Sequence, residues 1–353
     1  MKCYCVVNFR EPLQEVDQPV PVPQGSQVLL RVRAAGVCHS DIHLWEGGYD
    51  LGQGRTLSLK ERGVTLPLTM GHETVGSVVA AGPEATGIQT GRNYLVYPWI
   101  GCGACPTCLS GQENHCTAPA CLGIHRAGGY AEHMLVPHPR YLIDIGDLDP
   151  ARIAPYACSG LTTYSALRKI GEAVYREHPV VIFGAGGLGL MSLTLIKALG
   201  GKGGIVVDID PAKRQAALEA GALAAIDGAA PDAAQQIIKA AGGKPLQAAI
   251  DLVGAPSTTA LAFEFLTKGG KLIIVGLFGG ASSWPIALIP MKAMSIIGSY
   301  VGNLAELREL MDLVRAGKVP PMPVHRYPLR EADGVLASLR AGKVLGRAVL
   351  TVD

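Results

Sequence analysis

The run VVIFGAGGLG at residues 180–189 joins four consecutive apolar residues to glycines at 184, 186 and 189. A short apolar run bounded by a glycine turn is the pattern of a strand buried on both faces. The next segment, LGLMSLTLIKALG, has the length and periodicity of a helix, and GGIVVDID supplies a second strand containing Asp208. Alone, G-x-G-x-x-G is a weak signal. Between a strand and a helix, with an acidic residue about 20 positions on, it is the turn that holds a dinucleotide. Gly184 permits the tight turn, Gly186 lets backbone approach a pyrophosphate, and Gly189 lets helix and strand pack closely. Gly187 and Leu188 complete the turn, whose helix N-terminus offers free N–H groups and positive dipole to phosphates. Asp208 is placed to accept hydrogen bonds from the adenosine ribose hydroxyls. Its charge repels a 2′-phosphate, so NAD is expected rather than NADP. Lys213, in the helical stretch PAKRQAALEAGA, is a second candidate for the ribose or else a solvated helix lysine.

Two further strand runs follow, QAAIDLVG and KLIIVGLFG, each with a helical connection. Alternating strands and helices predict a doubly wound parallel sheet covered on both faces. The first 150 residues have a different texture. Short β-rich runs such as 28–32 and 74–81 lie between Pro- and Gly-rich turns, with one short helix expected after Cys38. The tail returns to mixed texture, with an amphipathic helix in AELRELMDLVRAG and a strand in GRAVLTVD. The expected organisation is α/β: a β-rich domain over 1–158, a Rossmann-type domain over 159–292, and a return to the first domain over 293–353.

The chain has 353 residues and a net charge of +2, with 17% charged and 48% hydrophobic residues. That balance excludes a disordered tail and gives no electrostatic case for nucleic acid or an anionic membrane. The apolar stretches 180–196 and 272–291 are interrupted by glycines or prolines, so neither reads as a membrane span. MKCYCVVNFR lacks the basic-then-apolar pattern of a leader, and a cytoplasmic protein is expected.

Nine cysteines are distributed unevenly. Cys102, Cys105, Cys108 and Cys116 fall within fifteen residues, spaced to close a tetrahedral structural zinc site with no open position. The overlapping C-x-x-C pairs leave a redox relay as the competing reading. This zinc lobe spans about 99–118. Cys3, Cys5 and Cys121 stand outside it. The other dense polar groups are GVCHSDIH at 36–43 and GHE at 71–73. Cys38, His72 and Cys158 have the chemistry of a Cys2His zinc set with an open fourth position, although their spacing alone does not assemble them.

In this order, GVCHSDxH, GHE, the four-cysteine lobe and GxGxxG resemble the zinc-dependent alcohol dehydrogenases of the medium-chain dehydrogenase/reductase superfamily. The resemblance runs over essentially the whole chain and is nearest to the shorter bacterial and archaeal members, typically homotetramers. It implies a GroES-like catalytic domain and two zinc ions per chain, one catalytic at Cys38, His72 and Cys158 and one structural. It implies that Asp41 orients the ligand histidine, and that Glu73 approaches the metal or else pairs with Arg347. His39 and Arg347 match cofactor-phosphate contacts, and Thr162 a nicotinamide-pocket threonine. Ser40 and His43 match a proton relay that runs through the nicotinamide ribose. Trp99 matches a bulky residue of the substrate cleft, with Leu44, Trp45 and Leu122 as further lining candidates.

These apolar side chains imply an uncharged alcohol, aldehyde or ketone as partner, transferred hydride passing reversibly to NAD. A polyol dehydrogenase is the nearest alternative. A silent zinc- and nucleotide-binding protein is a more distant one, opposed by the intact Cys38, Ser40, His43, His72 and Cys158. The apolar segment 284–300 resembles the region where related coenzyme domains pair, which implies a dimer at least and a homotetramer as the expectation.

Overall fold

A computed structural model describes residues 1–320 and 323–352. Among them, six parallel strands form one sheet in the order Ala224–Asp227, Gly204–Asp208, Val180–Phe183, Ala248–Asp251, Lys271–Ile274, Ser295–Gly298. The order reverses direction beside Val180–Phe183, so a crevice opens at the C-terminal end of the strand that enters the glycine turn. Side chains of that strand alternate between two cores. Val180 and Ile182 pack with the helices Ser159–Ile170 and Gly187–Ala198, while Val181 and Phe183 pack with Ala233–Ala240 and Pro256–Phe265. Both faces are covered, as the unbroken apolar runs require.

The last strand of this sheet, Ser295–Gly298, lies beyond residue 292, where the sequence reading ended the domain. It pairs in register with Lys271–Ile274, and its half-open edge position explains its weak sequence signal.

The second domain is built around the antiparallel pair Val28–Val37 and Glu73–Ala81. Arg347–Thr351 pairs with the other edge of Val28–Val37, so the end of the described chain returns to this N-terminal β-rich domain as a central strand. This insertion brings Arg347 beside residues more than two hundred positions earlier. The helix expected after Cys38 spans His39–Glu46, and the amphipathic tail helix spans Leu304–Arg315, closed by an Asn303–Glu306 capping box. No helix among the described residues is long and apolar enough to cross a membrane.

Candidate active site

Cys38 follows the strand Val28–Val37 and caps the helix His39–Glu46. Its backbone N–H donates to Asp41 Oδ2 at 2.9 Å, and the Tyr130 hydroxyl donates to the same oxygen at 2.9 Å. The other Asp41 oxygen lies 3.2 Å from His72 Nδ1. Asp41 and His72 are both fully buried, so this carboxylate fixes the ring and leaves Nε2 aimed at the cysteines. His72 Nε2 is buried and has no hydrogen-bond partner among the described residues. Cys158, at the start of the helix Ser159–Ile170, brings its Sγ to 3.9 Å from Cys38 Sγ.

One donor atom each from Cys38, His72, Glu73 and Cys158 lie within 4.8 Å of one another. The Cys158 hydrogen bond, followed by His72, holds the Cys38 thiol well below its ordinary pKa, while the same pairing and burial push Cys158 up. Two buried sulfurs and an orphaned imidazole nitrogen fit a zinc ion, which would compensate the charge that the thiols cannot otherwise carry together.

Glu73 is fully buried and forms an ion pair with Arg347. Burial raises its carboxyl to about 7 even though Arg347 pulls it down. Room for this carboxylate comes from Gly36, its register partner across the sheet. A Cβ there would stand 2.0 Å from Glu73 Oε2. Arg347 in turn reaches the glycine turn, since a Cβ on Gly187 would lie 2.6 Å from its Cδ. Its Nε is buried without a partner among the described residues.

At the turn, Gly184 has φ +94° and a Cβ on Gly189 would stand 2.1 Å from the Gly184 carbonyl oxygen. Gly186 caps the helix Gly187–Ala198 without a side-chain bond, with open space where a Cβ would project, and Leu188 is half-buried. The free helix N-terminus, the clear space and the orphaned Arg347 Nε fit a pyrophosphate. Asp208 accepts from the Ala185 and Asp210 N–H groups at 2.7 and 2.9 Å, bridging the second strand to the turn. Lys213 lies near the turn at Gly342, and its charge reaches His39. His39 is exposed, and desolvation by the surrounding protein lowers its pKa. Thr162, one turn beyond Cys158, is buried with an unpartnered Oγ1.

Ser40 Oγ lies 3.9 Å from Cys38 Sγ. His43, one turn on, pairs its Nδ1 with Glu46 at 3.5 Å, and burial lowers its pKa. Trp99 lies against the metal set, its ring 5.3 Å from that of His72, and Leu122 is buried nearby, donating its N–H to Pro98. Leu44 and Trp45 are not brought into this group. Leu44 is buried in the same core cluster as Trp99 and Leu122, with no contact to the ligand set recorded among the described residues, and Trp45 bonds the Glu11 carbonyl beneath the Arg340 guanidinium at 4.3 Å. Leu44 and Trp45 follow the relay histidine on a helix, so each rotates about 100° further from it.

The structure adds three residues that the sequence reading does not single out for this site. Tyr49 lies 4.8 Å from the His43 ring, and Tyr300 stands edge-on to Trp99 at 5.9 Å. Arg214 donates to the Asp208 carbonyl at 2.8 Å. Only Arg214 carried a signal, a cation six positions beyond Asp208.

In the lobe, donor atoms of Cys102, Cys105, Cys108 and Cys116 also lie within 4.8 Å of one another. N–H groups of Cys105, Cys108 and Ala118 point at the sulfurs at 3.4 Å, and backbone bonds from Ala104 and Cys105 draw the Cys102 thiol down to about 6. All nine cysteines are free thiols. Four thiols held by backbone amides fit a closed structural zinc rather than a disulfide relay.

A dinucleotide turn joined through Arg347 to a buried Cys2His set defines a zinc-binding dehydrogenase. Residues 24–147 match the alcohol dehydrogenase GroES-like domain, and 187–316 match the zinc-binding dehydrogenase domain. An NAD-dependent alcohol dehydrogenase of Sulfurisphaera tokodaii is 39% identical over 99% of both chains. The alcohol dehydrogenase structure of Aeropyrum pernix superposes with a TM-score of 0.89 at 32% identity, over 99% of this chain and 100% of that one. Acetophenone reductase of Geotrichum candidum, solved with NAD, superposes at 0.84 and 28% identity, over 99% and 96%. The chain belongs to the zinc-dependent alcohol dehydrogenase family of the medium-chain superfamily.

Proposed function

We propose that this chain is an NAD-dependent alcohol dehydrogenase that moves hydride reversibly between an uncharged alcohol and NAD, with two zinc ions per chain. The observation that carries the reading is Arg347, which touches the buried ligand set through Glu73 and the glycine turn through Gly187. Metal chemistry and cofactor chemistry therefore share one cleft. Alcohol-dependent formation of NADH across primary, secondary and cyclic alcohols tests it, and no turnover with any of them defeats it.

Bound at Cys38, His72 and Cys158, zinc supplies a Lewis acid for an alcohol whose free pKa, roughly 16, is otherwise too high for neutral pH. Cys38, His72 and Cys158 would hold it, Asp41 orients His72, and Arg347 keeps Glu73 as its ion-pair partner beside the ligand set. Arg347 Nε and His39 bind the cofactor phosphates, Asp208 and Lys213 its ribose end, and Thr162 the nicotinamide side. Ser40 accepts the alcohol proton at Oγ as it gives up its own hydroxyl proton, which passes on to His43 and from there to solvent.

Burial depresses the His43 imidazole below its ordinary value of about 6.5, so it is neutral and able to accept a proton through pH 7. Below its pKa it is protonated and oxidation slows. His43→Gln is expected to lower kcat about tenfold or more at pH 7 and to remove that acid limb from the kcat–pH profile. Superimposable acid limbs in the two enzymes defeat the relay.

The free thiols support a reducing, cytoplasmic setting. The open edge at Ser295–Gly298 and the exposed Ile286 and Met291 support pairing of coenzyme domains, in a homotetramer. Light scattering is expected to give a dimeric or tetrameric mass, and a monomer at micromolar concentration overturns the assembly.

A further inference from the structure

We propose that Glu113 is a positioning residue that latches the neck of the four-cysteine lobe and, with Arg140, slows the release of the zinc held there. The inference rests on the reading of Cys102, Cys105, Cys108 and Cys116 as a zinc set, and gives that set a support beyond its own ligands. Glu113 opens the short turn Glu113–His115, three residues before Cys116, and its carboxylate is buried. Oε2 accepts from the Gly101 N–H at 3.2 Å and from the Tyr141 hydroxyl at 2.8 Å. Oε1 lies 3.0 Å from Arg140 Nη2.

These partners place the carboxylate where the lobe begins and ends. Gly101 precedes the first cysteine and Glu113 the last, so one side chain joins entry to exit. The join lies against the sulfurs, since a Cβ on Gly101 would stand 2.5 Å from Cys108 Sγ and 2.8 Å from Cys116 Cβ. Two backbone donors carry it to the ligands. The Cys116 N–H donates to the Glu113 carbonyl at 3.0 Å, and the Cys102 N–H to Cys116 Sγ at 3.3 Å. Closing a loop costs entropy. A latched neck bears part of that cost, so the metal does not bear all of it.

Charge explains why Arg140 belongs to the latch. Four thiolates outweigh the charge of one zinc ion, and a further buried carboxylate beside them is unfavourable without a cation. The Arg140 guanidinium stands 4.7 Å from the centre of the Tyr141 ring and also bonds that hydroxyl, and its charge interacts with Cys108. Tyr141 and Arg140 lie in the turn Pro139–Tyr141, outside the lobe. That turn is braced in its own right, because the Arg140 carbonyl accepts from Arg308 Nη2 of the helix Leu304–Arg315 at 2.9 Å. The latch therefore fastens the lobe to a part of the domain that does not depend on the cysteines.

The test follows zinc released from the intact protein to the chelator pyridylazoresorcinol. A Cys38→Ser background leaves the zinc of the lobe as the one observed. Glu113→Gln keeps the shape but turns an amide N–H toward donors, and is expected to speed release about tenfold or more. Arg140→Gln is expected to speed it by a similar factor. The two together are expected to do little more than either alone, since they share one contact. Tyr97→Phe supplies the comparison. Its buried hydroxyl bonds the Gly302 carbonyl at 3.0 Å and its ring stacks on Tyr141 at 6.2 Å, so it loses a neighbouring bond without touching Glu113. Its release rate is expected to match the parent. A merely structural role would lower the melting temperature of Glu113→Gln and leave its release rate at the parent value, which overturns the proposal. So does equal acceleration in Tyr97→Phe. A Cys38→Ser protein that holds no zinc defeats the zinc reading of the lobe, and this inference with it.

Discussion

Cys38→Ser is expected to reduce bound zinc from about two to about one per chain and to lower alcohol-dependent turnover by about three orders of magnitude or more. A ligand to zinc must be deprotonated, and a serine hydroxyl in this buried position is not. The loss is selective because the second ligand set stands elsewhere, in the lobe at 102–116, and the glycine turn is built on its own strand and helix, Val180–Phe183 and Gly187–Ala198. NADH binding, followed by its fluorescence, is therefore expected to persist. Cys121→Ser supplies the comparison. That thiol is buried and bonds the Ile100 carbonyl, outside both ligand sets, so two zinc ions are expected to remain. Two zinc ions and undiminished turnover in Cys38→Ser would remove the catalytic assignment. One zinc already in the wild type would remove the proposed count.

Which parts of this site are legible in the sequence follows from how far apart its members lie. The glycine turn is legible because its demands are local. Gly184 needs a positive φ and Gly189 needs the absence of a side chain against Gly184, five residues away. The four-cysteine lobe is legible for the same reason, as a closed ligand shell within fifteen residues. The catalytic set is not local. Cys38 and Cys158 are 120 positions apart, and only family resemblance joined them before the sheet did. The Glu73–Arg347 pair spans 274 positions and depends on the final strand returning beside Val28–Val37, which no periodicity announces.

Tyr49 and Tyr300 lie at the far end of this scale. They sit in segments of ordinary composition, and their place beside the site comes from rings contributed by other elements, His43 and Trp99. Trp45 is illegible for the converse reason, as a neighbour of His43 in sequence that packs elsewhere. The helix His39–Glu46 carries Trp45 to the Glu11 carbonyl and the Arg340 guanidinium. The domain end at 292 misses Ser295–Gly298 because a four-residue, half-exposed edge strand has too little apolar patterning to announce itself.

Asp208→Gly is expected to invert cofactor preference, changing the NAD-to-NADP efficiency ratio by about a thousandfold. Two effects add. Loss of charge-assisted hydrogen bonds to the ribose hydroxyls weakens NAD, each bond contributing about 1.5–3 kcal/mol. Removal of the carboxylate relieves its repulsion of a doubly charged 2′-phosphate. A cation already stands in place. Arg214 Nη1 donates to the Asp208 backbone carbonyl at 2.8 Å, an anchor that survives the substitution, while its Nη2 lies 3.5 Å from Asp227. Its guanidinium can turn to the phosphate as a bidentate donor. Glycine also deletes the bond from Ala185 N–H, so Asp208→Asn serves as the milder change, keeping an acceptor for the turn while removing the charge. The readout is kcat/KM for NAD⁺ and NADP⁺ with one alcohol. An unchanged ratio in Asp208→Gly rejects the role given to Asp208. Adding Arg214→Ala to Asp208→Gly is expected to take back most of the gain with NADP⁺ while leaving the weakened NAD⁺ efficiency where it was. If the gain remains, relief of repulsion alone produces the inversion and Arg214 takes no part in it.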